Sequence, residues 1–192
     1  MHITDWKKDV FTIPNILSFS RILMIPIYIA VYLRAAKPKE YMLAGVILTL
    51  SCVTDAIDGI IARHLGMITQ LGKLLDPVAD KLTQLALFLC LSLKFPAIWP
   101  VLALFIVKES FQISAAVVYY RRGKALPGAL LVGKICTAVL FLSMISLVLF
   151  PSIPKQFVNQ IALIDSAFLC VSFVGYIGAY WGKRPLLEDL NQ

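Results

Sequence analysis

Four aspartates, grouped in two pairs, are the side chains of this sequence with the clearest capacity for chemistry. Asp55 and Asp58 are three residues apart, and Asp76 and Asp80 are four apart. Residues at these spacings share one face of a helix, so a short turn between two helices would let all four carboxylates converge. Carboxylates this close repel one another and raise each other's pKa unless a cation compensates them. Oxygen ligands without His or Cys suit a hard ion, so the pattern predicts a site for Mg²⁺ or Mn²⁺.

The residues around the aspartates indicate a bound ligand as well as a metal. Gly59 and Ala62 lie one turn beyond the first pair and leave room beside the backbone. Asp76-Pro77 is typical of a helix N-cap followed by proline at the first helical position. It therefore predicts a helix N-terminus directed at the site, where it would favour an anion such as a phosphate.

A purely structural alternative is a network of buried ion pairs. Arg63, Lys73 and Lys81 lie close enough along the chain to neutralise some of the carboxylates. Such a network could serve two of the four acids, but it gives no reason for small residues at positions 59, 62 and 72. We therefore expect a functional site.

The elements that must carry these residues are predicted from composition to be membrane helices. The chain has 192 residues, of which 59% are apolar and 15% charged, and its mean hydropathy is +0.83. Soluble domains have about 45–50% apolar and about 25% charged residues, so disorder, a collagen-like fibre and a nucleic-acid-binding domain are excluded. Since a transmembrane helix needs about 20 apolar residues, this chain can hold several.

The apolar segments predict an all-α integral membrane protein with six transmembrane helices. We expect one domain over residues 1–192, with a short interfacial helix in residues 1–14 and a six-helix bundle over 16–181. The predicted spans are Ile16–Leu33, Tyr41–Ile61, Val78–Leu93, Ala97–Tyr120, Ala129–Phe150 and Phe157–Trp181.

The distribution of basic residues predicts the orientation in the membrane. The net charge is +7, and basic residues accumulate in cytoplasmic loops, where they also face anionic lipid headgroups. Most Lys and Arg residues fall on the side of the N-terminus and the aspartates. We therefore expect a multi-pass protein of the cell membrane whose polar cavity faces the cytoplasm, with lipids and no nucleic acid as partners.

The aspartates belong to a longer pattern, D-x₂-D-G-x₂-A-R-x₈-G-x₃-D-x₃-D, which resembles the signature of the CDP-alcohol phosphotransferases. Its fixed positions are Asp55, Asp58, Gly59, Ala62, Arg63, Gly72, Asp76 and Asp80. The resemblance implies six transmembrane helices with the motif on the second and third. It also implies two Mg²⁺ or Mn²⁺ ions, held by the four aspartates, on the pyrophosphate of a CDP-linked donor. Asp80 would in addition be the base that deprotonates the acceptor alcohol.

The N-terminal segment beginning Pro14-Asn15 and reaching Arg21 resembles that of the phosphatidylglycerophosphate and cardiolipin synthases of this superfamily. Together with the signature, it implies CDP-diacylglycerol as the donor. Donor binding would involve Asn15, Asp58, Gly59, Ala62, Arg63 and Gly72. Arg21 would lie near the nucleotide and the mouth of the site, or alternatively would anchor the helix to lipid phosphates.

The acceptor is less determined than the donor. Lys108-Glu109 stands where this branch typically has Ala-Arg-Glu, and Cys136 replaces the second lysine of Gly-Lys-x-Lys-Thr. The cations that could bind an acceptor phosphate are Lys81, Lys134, Arg121 and Lys108. We expect glycerol 3-phosphate, with phosphatidylglycerol, giving cardiolipin, as the alternative, and Lys108–Glu109 could instead be a membrane-buried pair. Restoring the missing lysine by Cys136→Lys is expected to leave activity intact or to improve it.

Two further expectations concern reaction class and assembly. Neither histidine is paired with a lysine as in phospholipase D-type enzymes, so we expect direct transfer without a covalent enzyme intermediate. A six-span cation transporter is the alternative outside enzymes, although the expected inverted repeats and paired interrupted helices are absent from the sequence. We also expect a homodimer.

Overall fold

The computed structural model describes residues 13–64, 70–121 and 130–181, and within these ranges the chain forms six α-helices. Most of the predicted interfacial helix over residues 1–14 lies outside the described ranges. The helices are α1 (Ile13–Arg34), α2 (Pro38–His64), α3 (Gln70–Lys94), α4 (Trp99–Arg121), α5 (Leu131–Leu149) and α6 (Lys155–Trp181), with a 3₁₀ turn at Pro96–Ile98 before α4.

Each predicted span corresponds to one of these helices, which confirms the all-helical expectation. Within the described ranges, three segments are long and apolar enough to cross a membrane: Pro96–Tyr119, Leu131–Leu149 and Lys155–Tyr180. Helices α2 and α3 carry the four aspartates together with several Lys and Arg residues, which lower their hydropathy. Six membrane crossings therefore remain a prediction, whereas three have direct support.

The predicted helix start at Asp76-Pro77 is wrong. Helix α3 begins at Gln70, so Pro77 lies inside it, two turns from the N-terminus. A proline there removes one backbone hydrogen bond, and membrane helices tolerate this because neighbouring groups satisfy the released carbonyl. The correction places Gly72, Asp76 and Asp80 on one continuous helix, and no helix N-terminus at Asp76 is directed at the site.

The start of α2 has an N-terminal cap supplied by Glu40. Its Oε2 accepts hydrogen bonds from the backbone N–H of Ala36 at 2.6 Å and of Lys37 at 3.1 Å. Pro38 occupies the first helical position, where a missing N–H has no consequence. These backbone donors hold the pKa of the Glu40 carboxyl below its usual value, since they stabilise its charged form.

The described chain divides into two compact units. The first comprises residues 1–94 and 144–154, and the second residues 95–143 and 155–192. In the first unit α1 packs against both α2 and α3, with the fully buried Tyr28, Phe88 and Leu91 in its core. The end of α5 packs onto α2 at Gly45, where a Cβ would lie only 2.8 Å from Leu149 Cδ2.

The second unit is built on the packing of α4 against α6, with the 3₁₀ turn contacting both. Aromatic rings join the two helices. The Phe111 and Phe173 rings meet edge to face with centroids 5.3 Å apart, and Tyr119 Oη donates a 2.7 Å hydrogen bond to the carbonyl oxygen of Tyr180. Helix α5 contacts α6 at Gly133 with Tyr176 and at Ser143 with Asp165, as described below.

Candidate active site

The helices place the motif aspartates in register along two faces. On α2, positions 55, 58 and 62 follow one another by three and four residues, and on α3 positions 72, 76 and 80 follow by four each. Positions with these spacings share a helix face. Apart from Asp80, the motif positions lie outside the part of the chain whose side chains the structure describes, as does Asn15. Their assigned roles therefore remain predictions.

The Asp80 carboxylate forms an ion pair with Arg21 of α1. Arg21 Nη1 donates a hydrogen bond to Asp80 Oδ1, and the two residues are 59 positions apart in the chain. The Arg21 side chain is only 5% exposed, whereas that of Asp80 is 60% exposed. A buried guanidinium therefore holds one oxygen of a carboxylate that is otherwise accessible from outside the helix packing.

This pair bears on the alternative that Arg21 anchors its helix to lipid. An arginine that anchors a helix to lipid phosphates would be exposed, and the Arg21 residue is 4% exposed. Burying a charge is costly unless it is paired, and Asp80 provides that pairing. The pair is local to the first unit, where α1 packs tightly enough on α3 to leave Ser18 and Ala79 without solvent exposure. Arg21 therefore contacts the predicted base itself.

A narrow cleft with mainly apolar walls adjoins the ion pair. Arg21 and Thr83 contribute polar groups to its lining, and Thr83 Oγ1 is itself hydrogen-bonded to the Ala79 carbonyl at 2.9 Å. The remaining lining side chains are Met24, Ile25, Tyr28, Ile47, Leu48 and Ala86. Arg21 thus lies beside mainly apolar side chains.

The carboxylate of Asp80 is chemically suited to be a ligand of the predicted metal site. Asp80 presents an accessible carboxylate on the same helical face as position 76, and carboxylate oxygens are preferred ligands of Mg²⁺. The residues whose side chains are described include no group of three or more His, Cys, Asp and Glu that could hold a metal. Three of the four predicted ligands lie outside that set, so the two-ion site remains a prediction.

The predicted acceptor cations occupy different environments. Arg121, at the end of α4, and Lys134, in the first turn of α5, are exposed, and Lys81 on α3 is half-buried. Lys108 is 3% exposed, and its Nζ lies 2.8 Å from Glu109 Oε1. This geometry matches the alternative interpretation of Lys108–Glu109 as a buried pair, whereas Arg121 and Lys134 are available to a ligand.

The burial of Cys136 also bears on the predicted effect of Cys136→Lys. Cys136 has no solvent exposure and lies within electrostatic reach of Lys108, Glu109 and Asp165. Cys136→Lys would place a second ammonium group in the neighbourhood of the buried Lys108. The structure therefore gives no support to the expectation that this change is harmless.

Two residues of the second unit were not anticipated. Asp165, in the middle of α6, has no solvent exposure; its Oδ1 accepts a 3.0 Å hydrogen bond from Ser143, while its Oδ2 has no partner among the described residues. Tyr176 lies against Gly133 and under Lys108. A lone carboxyl in an apolar run could have drawn attention to Asp165, but no pattern in the sequence points to Tyr176.

Comparison with known proteins connects this arrangement to one protein family. The model of that family, described as CDP-alcohol phosphatidyltransferase, matches residues 11–173. A cardiolipin synthase (CMP-forming) from Streptomyces coelicolor is 34% identical over 67% of this chain and 60% of its own length. A CDP-diacylglycerol–glycerol-3-phosphate 3-phosphatidyltransferase from Bacillus subtilis is 26% identical over 78% of this chain and 82% of its own length.

A third relative is much longer than this chain. A cardiolipin synthase and mitochondrial hydrolase fusion protein from Schizosaccharomyces pombe is 35% identical over 63% of this chain but only 19% of its own length. The chain thus spans less than two thirds of the length of both cardiolipin synthase relatives. Their similarity supports the shared domain rather than the activity of the whole relative.

Proposed function

Because the chain belongs to the CDP-alcohol phosphatidyltransferase family, we propose that it transfers a phosphatidyl group from CDP-diacylglycerol to glycerol 3-phosphate. The products are phosphatidylglycerophosphate and CMP. The observation that carries this proposal is the Arg21–Asp80 pair, which orients an accessible carboxylate at the last aspartate of the motif. A cation transporter requires no such oriented base, and family membership favours the enzyme.

The proposed reaction is an in-line displacement without a covalent enzyme intermediate. Asp80 accepts the proton of the acceptor hydroxyl, and the resulting oxygen attacks the phosphorus that bears diacylglycerol. The bond from that phosphorus to the oxygen shared with CMP breaks, and CMP leaves with the electron pair. Arg21 holds one oxygen of the Asp80 carboxylate in place.

We propose that Asp55, Asp58, Asp76 and Asp80 hold two Mg²⁺ or Mn²⁺ ions. Bound ions would neutralise charge on the pyrophosphate, which is the main requirement of phosphoryl-type transfer. Asn15, Gly59, Ala62, Arg63 and Gly72 would complete the donor site. The basic residues near the motif support an active site facing the cytoplasm in the cell membrane, and we also propose a homodimer.

Lys134 is the proposed acceptor residue whose role can be tested most directly. Lys134 and Arg121 are exposed and would bind the phosphate of glycerol 3-phosphate together with Lys81, while the buried Lys108 would support them. Charge-assisted hydrogen bonds contribute about 1.5–3 kcal/mol. We therefore expect Lys134→Ala to raise the KM for glycerol 3-phosphate by about tenfold or more, with the KM for CDP-diacylglycerol nearly unchanged. Lys155→Ala changes the exposed first residue of α6 and provides a control.

Cardiolipin synthesis is the second candidate. It is favoured by Cys136, since losing a cation weakens a site for a phosphate dianion, and by the similarity to cardiolipin synthases. The deciding assay supplies purified protein with CDP-diacylglycerol and either glycerol 3-phosphate or phosphatidylglycerol. Release of CMP with formation of phosphatidylglycerophosphate is expected. Release of CMP only with phosphatidylglycerol would reject the first proposal in favour of the second.

A further inference from the structure

The phenol ring of Tyr176 fills the space that a side chain at position 133 would need. A Cβ on Gly133 would lie 2.8 Å from Tyr176 Cε2 and 2.9 Å from Cζ, and it would also collide with Oη. These separations are too short for unbonded carbon atoms. The Tyr176 residue is 8% exposed, so its ring has little room to move aside. Glycine at 133 therefore permits the close approach of α6 to the start of α5.

The same ring is held by the buried cation of α4. Lys108 Nζ lies 5.6 Å from the Tyr176 ring centroid, within the range of a cation–π interaction, and Glu109 fixes the ammonium group at 2.8 Å. The Tyr180 ring stacks on Tyr176 with centroids 6.3 Å apart and planes at 28°. Contacts from α4 and from its own helix thus hold the ring against Gly133.

Gly133 immediately precedes the proposed acceptor residue. Lys134 lies in the first turn of α5, its backbone N–H donates a 3.1 Å hydrogen bond to the Leu130 carbonyl, and its side chain is exposed. The Tyr176 ring contacts Gly133, the residue before Lys134. The position of the first turn of α5 therefore depends on Tyr176. The contacts therefore form a continuous path from Glu109 through Lys108, Tyr176 and Gly133 to Lys134.

We infer that Tyr176 is a positioning residue of the acceptor site. Its ring sets the location of Lys134 by packing against Gly133. The inference rests on the proposed function, in which Lys134 binds the phosphate of glycerol 3-phosphate. Tyr176 makes no contact with the reacting atoms in this account. Its replacement should therefore change the affinity for the acceptor and leave the donor and the chemical step alone.

The first test compares three variants in a steady-state assay with varied glycerol 3-phosphate. Tyr176→Leu removes the ring and is expected to raise the KM for glycerol 3-phosphate by about tenfold, as if the charge-assisted contact of Lys134 were lost. The kcat and the KM for CDP-diacylglycerol should stay within about twofold. Tyr176→Phe keeps the ring and should stay near the wild type. Phe105→Leu removes a buried ring of α4 that is not among the atoms nearest a side chain at position 133, so it should leave the KM for glycerol 3-phosphate unchanged.

The second test is a double-mutant cycle between positions 133 and 176. Gly133→Ala should displace the ring and raise the same KM in the wild-type background. In the Tyr176→Leu background the added methyl group meets no ring, so Gly133→Ala should have no further effect. Residues in contact give such non-additive effects, whereas independent sites give additive ones. If Tyr176→Leu is poorly folded, Gly133→Ala alone still tests the inference, because it should raise the KM for glycerol 3-phosphate without changing kcat.

The possible results separate this inference from the proposed function. Failure of the wild type to use glycerol 3-phosphate would reject the proposed function and the inference with it. Normal use of glycerol 3-phosphate with an unchanged KM in Tyr176→Leu, or additive effects in the cycle, would overturn the positioning role alone. Equal losses in Tyr176→Leu and Phe105→Leu would likewise overturn it, since they would indicate general loss of packing.

Discussion

A single buried arginine defines the environment of the proposed base. Arg21 reaches Asp80 from another helix, and the burial of its side chain restricts the positions that the guanidinium can take. The carboxylate is thereby kept in one orientation while most of its surface stays accessible. At the scale of the residue, the site is an oriented carboxylate rather than merely an acidic cluster.

Replacing Arg21 should impair catalysis more than donor binding. Arg21→Gln removes the charge and is expected to lower kcat by about 10- to 100-fold, which corresponds to one charge-assisted hydrogen bond. Arg21→Lys keeps the charge but loses the fork-shaped donor group, so it should retain part of the activity. Steady-state kinetics with both substrates measure the effect, and Phe19→Leu, an exposed neighbour on α1, is the control. Full activity in Arg21→Gln would exclude the orienting role.

Substitutions of the aspartates should have two different kinetic effects. Asp80→Asn removes the base and should lower kcat by about 10²–10⁴-fold, with a smaller effect on donor binding. Asp58→Asn should mainly weaken the binding of metal and CDP-diacylglycerol. Kinetics combined with direct measurement of Mn²⁺ binding distinguish the two. Indistinguishable losses of affinity in both variants would argue against this division.

The elements follow from the sequence more reliably than their ends. Apolar runs predict where the six helices lie, because long stretches of low polarity in this composition can form little else. The helix start expected at Asp76-Pro77 is wrong, because an Asp-Pro pair can occur inside a membrane helix as well as at a helix start. The Arg21–Asp80 pair could not be predicted from spacing, since the two residues meet only through packing of α1 on α3. The same holds for Tyr176 and Gly133.

The cap of α2 should make stability depend on pH. The pKa of Glu40 is lowered in the folded protein, so the carboxylate stabilises the fold at pH values above its unfolded pKa of about 4.3. This contribution is lost as the pH falls through the lowered pKa. Glu40→Ala should therefore lower the melting temperature at pH 7, and the difference from wild type should shrink below pH 4. Thermal denaturation measures it, with the neighbouring Lys39→Ala as the control; a difference independent of pH would contradict the prediction.

At the scale of the whole molecule, the proposed functions are distributed over both compact units. The motif and the oriented base belong to the first unit, whereas Lys108, Arg121 and Lys134 belong to the second. The family match covers parts of both units. If the proposed roles are right, we expect substitutions in separate parts of the chain to alter the KM for the donor and the KM for the acceptor separately.

Metal removal should abolish activity of the whole enzyme without unfolding it. The proposed ligands are carboxylates whose mutual repulsion a cation relieves, so EDTA should stop CMP release and Mg²⁺ or Mn²⁺ should restore it. Added Mn²⁺ should also raise the melting temperature, since a ligand that binds only the folded state stabilises it. Circular dichroism before and after chelation checks that the helices persist. Undiminished turnover after thorough chelation would reject the two-ion site.

The Arg21–Asp80 pair also has a consequence for how the protein is made. Arg21 leaves the ribosome 59 residues before its partner, which at about 5–20 residues per second is roughly three to twelve seconds. During that interval α1 carries a cation that Asp80 does not yet neutralise, and an arginine in a membrane helix disfavours insertion. We therefore expect α1 to complete its integration only after α3 has been synthesised, so that biogenesis of the first unit waits for the proposed base.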